Sequence, residues 1–438
     1  MKNRIPRSLA FAVLSCALYT GAYAQQAQTL TLAQSMALAV QNNISVKLAA
    51  LKTDAARAET VRSAAGLLPH LTASVGQTRT FRENLEAAGF AGYGYIGPFN
   101  SFDARLSLVQ EIFNWNTYSN YHSQKQREQS IRLQQDLAAE QVSAAAALSY
   151  VEVLRSDAAL DAAKADERLA AELLNLAQER HSAGTATGLD VAREKTRVAQ
   201  EHSRVLYAQV ACDSAQLRLN HVTGEPMDRE YKLSDSLEMG TTEIAPLKPA
   251  IATAFADRLE LAVGKVELRA ADYAAEAARA GHLPTLAVTG AFAISGITPE
   301  DHAGSVGDMG VQLRLPLFEG GAVSAAADKA QAEKQQIAAR LEDMDVQVEQ
   351  DVRLSLKQLA AAVEQVQTAQ EAVTLALSEL EMAQGRFSAG VGDNVELVNA
   401  QTSLSEARSA RVAALAQYNN SKINFALAQG HMRAFSLR

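Results

Sequence analysis

The chain lacks most of what staples or punctuates an ordinary secreted domain. It has two cysteines, Cys16 and Cys212. Cys16 sits in an apolar N-terminal stretch, so Cys212 alone lies beyond it and no intramolecular disulfide framework can form there. Cys212 reads as a small apolar residue on a helix, with no charged or metal environment to activate it. Proline is absent from Phe99 to Glu225 and again from Leu317 to the C-terminus. A chain of average composition scatters proline through its loops, so these tracts argue against a string of small globular domains. Beyond the N-terminal stretch there is no run of about 18 apolar residues, which excludes a membrane-spanning helix. The net charge of −8 is spread without a basic block, and this argues against nucleic acid or an anionic membrane surface as partner. No H-E-x-x-H, G-x-S-x-G, Walker A or C-x-x-C pattern occurs, and the eight histidines fit no zinc spacing. No catalysis, cofactor or metal is expected.

What is present begins with a targeting signal. Lys2, Arg4 and Arg7 precede an apolar stretch from Leu9 to Leu18, and Ala22-Tyr23-Ala24 gives a small-x-small cleavage site before Gln25. Residues 1–24 read as a removable secretory signal. Lipidation at Cys16 is the other reading; Leu14 and the shortness of the apolar run before Cys16 weigh against it. The proline-free tracts are rich in Ala, Leu, Gln, Glu and Arg, the strong helix formers.

The rest of the chain is a duplication. Arg180-His181-Ser182-Ala183-Gly184 matches Arg386-Phe387-Ser388-Ala389-Gly390, and the alignment runs on without a gap to Gly224 and Gly430. Gly66-Leu67-Leu68-Pro69 matches Gly281-His282-Leu283-Pro284, and Ile112-Phe113-Asn114 matches Leu317-Phe318-Glu319. One longer loop in the first half reconciles these offsets. Each half, 25–224 and 251–438, then holds a helix ended by G-x-L-P, a hairpin (about 70–112 and 285–317), a very long helix (about 117–183 and 320–388) and a return helix (about 188–223 and 394–429). Residues 225–250, with Pro226, Pro246 and Pro249, link the halves.

The hairpins alternate with period two. Phe102, Ala104, Leu106 and Leu108 oppose Asp103, Arg105 and Ser107. Met309, Val311, Leu313 and Leu315 oppose Gly310, Gln312 and Arg314; Leu286, Val288, Phe292 and Ile294 mark a third strand, and Leu71 to Phe81 a weaker fourth. The few aromatics gather at the hairpin ends: Phe81, Phe90, Tyr93, Tyr95, Phe99 and Phe102 at one, Phe113, Trp115, Tyr118 and Tyr121 at the other. Alternating strands with aromatic girdles are the pattern of a transmembrane barrel. Four strands cannot close a barrel, and open edges are not tolerated in lipid, so several chains must share one. From Gly320 to Ser388 nothing stops a helix, and at about 1.5 Å per residue it reaches roughly 100 Å. Such helices need partners side by side. Their apolar positions (among them Met344, Val348, Val352, Leu356, Leu359, Leu377 and Leu380) include successive steps of four near Val348–Leu356, a stutter that would relax supercoiling.

The doubled R-x-S-A-G turn, followed by Leu189-Asp190-Val191 and by Val395-Glu396-Leu397-Val398-Asn399-Ala400, resembles the TolC-like outer-membrane efflux family, as do the L-P-x-L stops and Leu317-Phe318-Glu319-Gly320-Gly321. Asn114-Trp115-Asn116 replaces that glycine pair in the first half. The resemblance implies a mainly α fold with a small β part. Three chains of four strands would form a twelve-stranded outer-membrane β-barrel, and their antiparallel helical hairpins a periplasmic α-barrel. It implies a passive exit duct for efflux or type I secretion, a homotrimer in outer-membrane lipid, served by a periplasmic adaptor and an inner-membrane pump that chooses the cargo. The tunnel would narrow at the helix turns, where Arg180, Gly184, Arg386 and Gly390 shape the motif. Glu396 and Asn399 stand where the family often carries two acids at the entrance; here the second is an amide. Glu396 would form a ring of carboxylates, or merely support a helix N-terminus. Asp190 reads as a capping acid or a partner of a neighbouring helix, with Arg193 one turn on as candidate partner. A soluble periplasmic coiled-coil scaffold or adaptor is the alternative that the helices alone leave open.

Overall fold

The structure, a computed structural model, describes residues 28–437 apart from 88, 90, 93, 241–244 and 301–302. The secretory signal, Cys16, Phe90 and Tyr93 lie outside the described residues. A short strand β1 (Gln28–Leu30) leads into helices α1 (Leu32–Asn42) and α2 (Ile44–Ala65). Strands β2 (His70–Thr80), β3 (Glu83–Asn84), β4 (Tyr95–Ile96) and β5 (Phe99–Phe113) follow, then α3 (Trp115–Ser182) and α4 (Gly188–Thr223). Strand β6 (Tyr231–Leu233) lies in the link between the halves, and α5 (Leu247–Asp257), α6 (Leu259–Arg279), β7 (Thr285–Gly296), β8 (Gly304–Arg314), α7 (Ala322–Ser388) and α8 (Asn394–Gln429) follow. Among the described residues no helix is long and apolar enough to cross a membrane.

The duplication is visible in space. The two hairpins join into one antiparallel sheet of order β2-β5-β7-β8, with β5 of the first repeat bonded to β7 of the second. Residues opposed in register share a face. One row is Leu71, Leu108, Gly290 and Met309, and the next is Ala73, Leu106, Phe292 and Gly307. This apolar face is bare: Val75 is 75% and Met309 87% exposed. The opposite face carries Asp103, Arg105 and Asp308, with Arg105 Nε 3.3 Å from Asp103 Oδ1. Among the described residues, strands β2 and β8 have no neighbour on their outer edges.

Each half needs two helices to match the length of its long one. Helix α3 has 68 residues, so it extends roughly 100 Å at about 1.5 Å per residue. Helices α2 and α4 stack end to end beside it. Asn43, which breaks α1 from α2, donates from Nδ2 to Val222 O at 2.8 Å, just before α4 ends at left-handed Gly224. A Cβ on Gly224 would lie 2.7 Å from the Asn42 Cβ. The second half repeats the joint: Gly430, ending α8, abuts the Asp257 carbonyl, and His431 Nε2 lies 2.9 Å from Asp257 Oδ2. The sequence reading assigned one helix before each L-P stop. The structure divides it at Asn43 and at Arg258, both extended, because the end of the return helix occupies the line of the axis.

The buried stripe of α7 corrects another expectation. It runs Val348, Val352, Ser355, Leu359, Ala362, Val366, Ala369, Val373, Ala376, Leu380, Ala383 and Phe387, alternating steps of four and three. This is an uninterrupted heptad, the pattern of left-handed supercoiling, and not a stutter. Ser355 takes the place given to Leu356, its hydroxyl satisfied by the Val352 carbonyl at 3.2 Å, and Ala376 takes that of Leu377, which is 44% exposed. Small side chains let the helices approach closely. A second core lies at mid-length, where the Tyr150 hydroxyl is 3.0 Å from Leu30 O and 2.7 Å from Asp235 Oδ2, tying α3 to the parallel pair β1 and β6.

The stacked joint has a testable cost. Gly184 also has positive φ, but nothing lies within 4 Å of a Cβ there. Gly184→Ala is expected to cost only the left-handed strain, about 1 kcal/mol. Gly224→Ala adds a clash with Asn42 and should lower the helical melting temperature clearly further, as followed by circular dichroism in detergent.

Candidate functional site

The residues singled out in the sequence collect at one end of the helical body, in the turns α3–α4 and α7–α8. Both turns close alike. Gly184 and Gly390 take φ of 76° and 79°. Thr185 N–H donates to Arg180 O at 2.9 Å and Gly184 N–H to His181 O at 3.0 Å; Val391 to Arg386 and Gly390 to Phe387 repeat the arrangement at 3.1 Å each. This is the Schellman end, which satisfies the last carbonyls and requires a residue that tolerates positive φ. The R-x-S-A-G motif is thus a chain-reversal device, and its arginine supplies the receiving carbonyl.

The two arginine side chains differ. Arg180 reaches Thr185 and lays its guanidinium over the Phe387 ring, 4.6 Å from the centroid, so the first turn touches the second. Phe387 is buried with Leu173, Leu380, Leu397, Ala400 and Leu404 in a core that joins α3, α7 and α8. Arg386 instead donates from Nε to Glu396 Oε2 at 3.2 Å. Glu396 lies in the first turn of α8, half exposed, and its carboxylate is engaged within its own hairpin. Asn399, one turn on, is exposed. The sequence reading proposed no partner for Glu396.

Asp190 caps α4. Its Oδ2 accepts from Thr187 N at 2.9 Å and from Thr187 Oγ1 at 2.7 Å, while Asp190 N donates to Thr187 Oγ1 at 3.3 Å. Arg193 lies 3.7 Å away. The bond from Thr187, with help from Arg193 and Arg180, holds the carboxyl below the usual aspartate range. Asp190 therefore stays within its own helix start and does not reach across to a neighbour.

Sequence reading missed a third feature. Glu194, Arg197, Glu201 and Arg204 follow Asp190 along α4 at steps of three and four, and the first three are buried. They face α8: Arg197 donates to Thr402 Oγ1 at 3.1 Å and Arg204 to Ser405 Oγ at 2.9 Å, while Glu201 is held by both arginines. The signal was available as a heptad stripe made of charges in place of apolar residues. Cys212 is buried, its thiol donates to Asp157 Oδ1 at 2.8 Å, and burial pushes it up to about 12. Among the described residues no group of three or more His, Cys, Asp or Glu is placed to hold a metal.

Two matched halves, a shared edge-bearing sheet and long helices closed by paired turns define a known architecture. The sequence profile described as "Outer membrane efflux protein" matches residues 36–225 and again residues 250–431. The chain belongs to this family of outer-membrane efflux proteins. Family members are channel and transport proteins of the outer membrane that extend into the periplasm. The alkaline protease secretion protein AprF of Pseudomonas aeruginosa is 24% identical over 417 residues, covering 91% of this chain and 82% of the relative. The outer membrane protein TolC of Escherichia coli is 24% identical over 346 residues, covering 76% and 70%. The crystal structure of VceC from Vibrio cholerae superposes with a TM-score of 0.81 at 17% identity, over 91% of this chain and 96% of that one. The outer membrane channel CmeC of Campylobacter jejuni gives 0.82 at 18%, over 93% and 87%.

The cap at Asp190 gives a pH prediction. A carboxyl lowered in the folded state stabilises fully above its ordinary value of 3.8, and the contribution is lost as pH falls through the lowered value. Asp190→Ala is expected to cost roughly 1 kcal/mol at neutral pH. Hydrogen exchange at the first amides of α4 should accelerate in the variant near pH 7 and differ little from the parent in strong acid.

Proposed function

We propose that the chain is the outer-membrane exit duct of a tripartite efflux or type I secretion assembly. It is a homotrimeric, passive channel, driven by an inner-membrane pump through a periplasmic adaptor, and it carries no catalytic centre of its own. The observation that carries the reading is the four-stranded sheet with a bare apolar face and two unpaired edges. Its strands alternate in direction, so β8 of one copy meets β2 of the next antiparallel and any number of copies extends one continuous sheet. Three copies give twelve strands, within the range of outer-membrane barrels. The apolar row then faces lipid and the Asp103–Arg105–Asp308 face lines the lumen. The relatives are named for protease secretion, pyoverdine export and toluene efflux, which fits a duct indifferent to cargo.

The turns are the periplasmic entrance in this reading. Glu396 forms a ring of three carboxylates, Asn399 weakens the field below that of a doubled acid, and Arg386 steadies each carboxylate. The pair is exposed, so it contributes only about 0–1 kcal/mol to stability, and replacing Glu396 tests permeation without unfolding the hairpin. In planar bilayers, Glu396→Ala is expected to raise leak conductance and weaken block by divalent cations. Single-channel behaviour identical to that of the parent would remove Glu396 from the entrance.

A further inference from the structure

The charged stripe of α4 contains one buried member without an ion pair among the described residues. Glu201 is held between Arg197 and Arg204, but Glu194 is 0% exposed and neither of its oxygens makes a hydrogen bond. Across the seam α8 presents Asn394, 2% exposed, and Gln401, 4% exposed, and the polar atoms of both amides are likewise without partners. Six buried polar atoms thus meet where the neighbouring core is Leu173, Leu397, Ala400 and Leu404. An ionised carboxylate in such a place is strongly disfavoured, and a group so placed takes up a proton instead. A carboxylic acid carries one donor and an acceptor oxygen, the complement of a primary amide.

We propose that Glu194 is a proton-binding group: protonated, it closes the α4–α8 seam against Asn394 and Gln401, and loss of the proton parts the seam at the entrance end. The role in opening rests on the entrance reading above; the proton itself does not. Burial raises the Glu194 carboxyl above 4.5, and the two amides and Arg197 only partly offset this, while Asp190 adds to it. Those two charged groups are on α4 itself. Between Glu396 and Glu406 α8 has no titratable residue. Glu172 and Glu179 of α3 and Glu379 and Glu381 of α7 are exposed, and Arg180 and Arg386 are engaged with Thr185 and Glu396. The closed seam binds more protons than the parted one. Closure is therefore complete below the ordinary value of 4.5 and weakens as pH rises toward the raised one.

The test uses the full-length protein in detergent and in planar bilayers, with Glu194→Gln and Glu194→Leu as two neutral replacements. Infrared spectra of the parent are expected to show a carboxylic-acid C=O band that persists above pH 4.5 and is missing from both variants. Parent conductance is expected to rise with pH, the closed-to-open ratio falling by up to about tenfold per pH unit per chain. Both variants should stay in the low-conductance state at every pH. Identical infrared titrations of parent and variants would overturn the proton site, and an unchanged conductance–pH profile in both variants would overturn its coupling to opening. A protein that conducts at no pH contradicts the entrance reading instead, and the infrared band alone then decides whether Glu194 holds a proton.

Discussion

Strands β2 and β8 leave a row of backbone donors and acceptors without partners, beside an apolar face that water does not favour. In lipid an unpaired backbone group costs several kcal/mol, so a sheet that enters the membrane must have its edges supplied by further strands. Among the described residues this sheet has four strands, and copies of the chain are the source of more in the proposed assembly. The helical half carries the same incompleteness. Val346 and Leu375 of α7, and Leu206 and Tyr207 of α4, are exposed apolar side chains on long helices with no cover in one chain.

The stacked joints translate that constraint into length. A single 68-residue helix can lie in register with two shorter ones only if their ends meet without a gap. Asn43 and Gly224 perform this in the first repeat, Arg258 and Gly430 in the second. Duplication gives each half the same joint and the same Schellman turn. The halves then diverge in what the turn arginine does: Arg180 grips the other repeat through Phe387, and Arg386 restrains Glu396. Contact between the repeats at the turn end is therefore apolar and cation–π where α3 meets α7 and α8, and polar along the α4–α8 seam. Buried polar seams hold less firmly than apolar ones of the same size, which fits the proposed parting of this seam.

Fold and duplication were legible because each left a periodic or punctuating signal: the alternation of Phe102–Leu108, the L-P stops, the proline-free tracts and the paired R-x-S-A-G turns. Large residues misled where small ones decide. Leu356 suggested a stutter and Leu377 a seam position, whereas Ser355 and Ala376 carry the heptad. The helix breaks at Asn43 and Arg258 had no glycine or proline to announce them, since their cause is the end of a helix far away in sequence. At the site, the turn residues and the capping role open to Asp190 could be read from local patterns. The Arg386–Glu396 pair needed the turn geometry, and Glu194 could have been found by asking which heptad positions of α4 were charged.

The central claim, that one barrel is built from several copies of this chain, is tested most directly by mass. The protein would be extracted from outer membranes in mild detergent and weighed with the detergent contribution subtracted. The account predicts three times the chain mass in a membrane-derived, detergent-bound particle. A monomer or dimer that stays in solution without detergent would contradict it, because its strand edges and apolar sheet face would then need no partner copies.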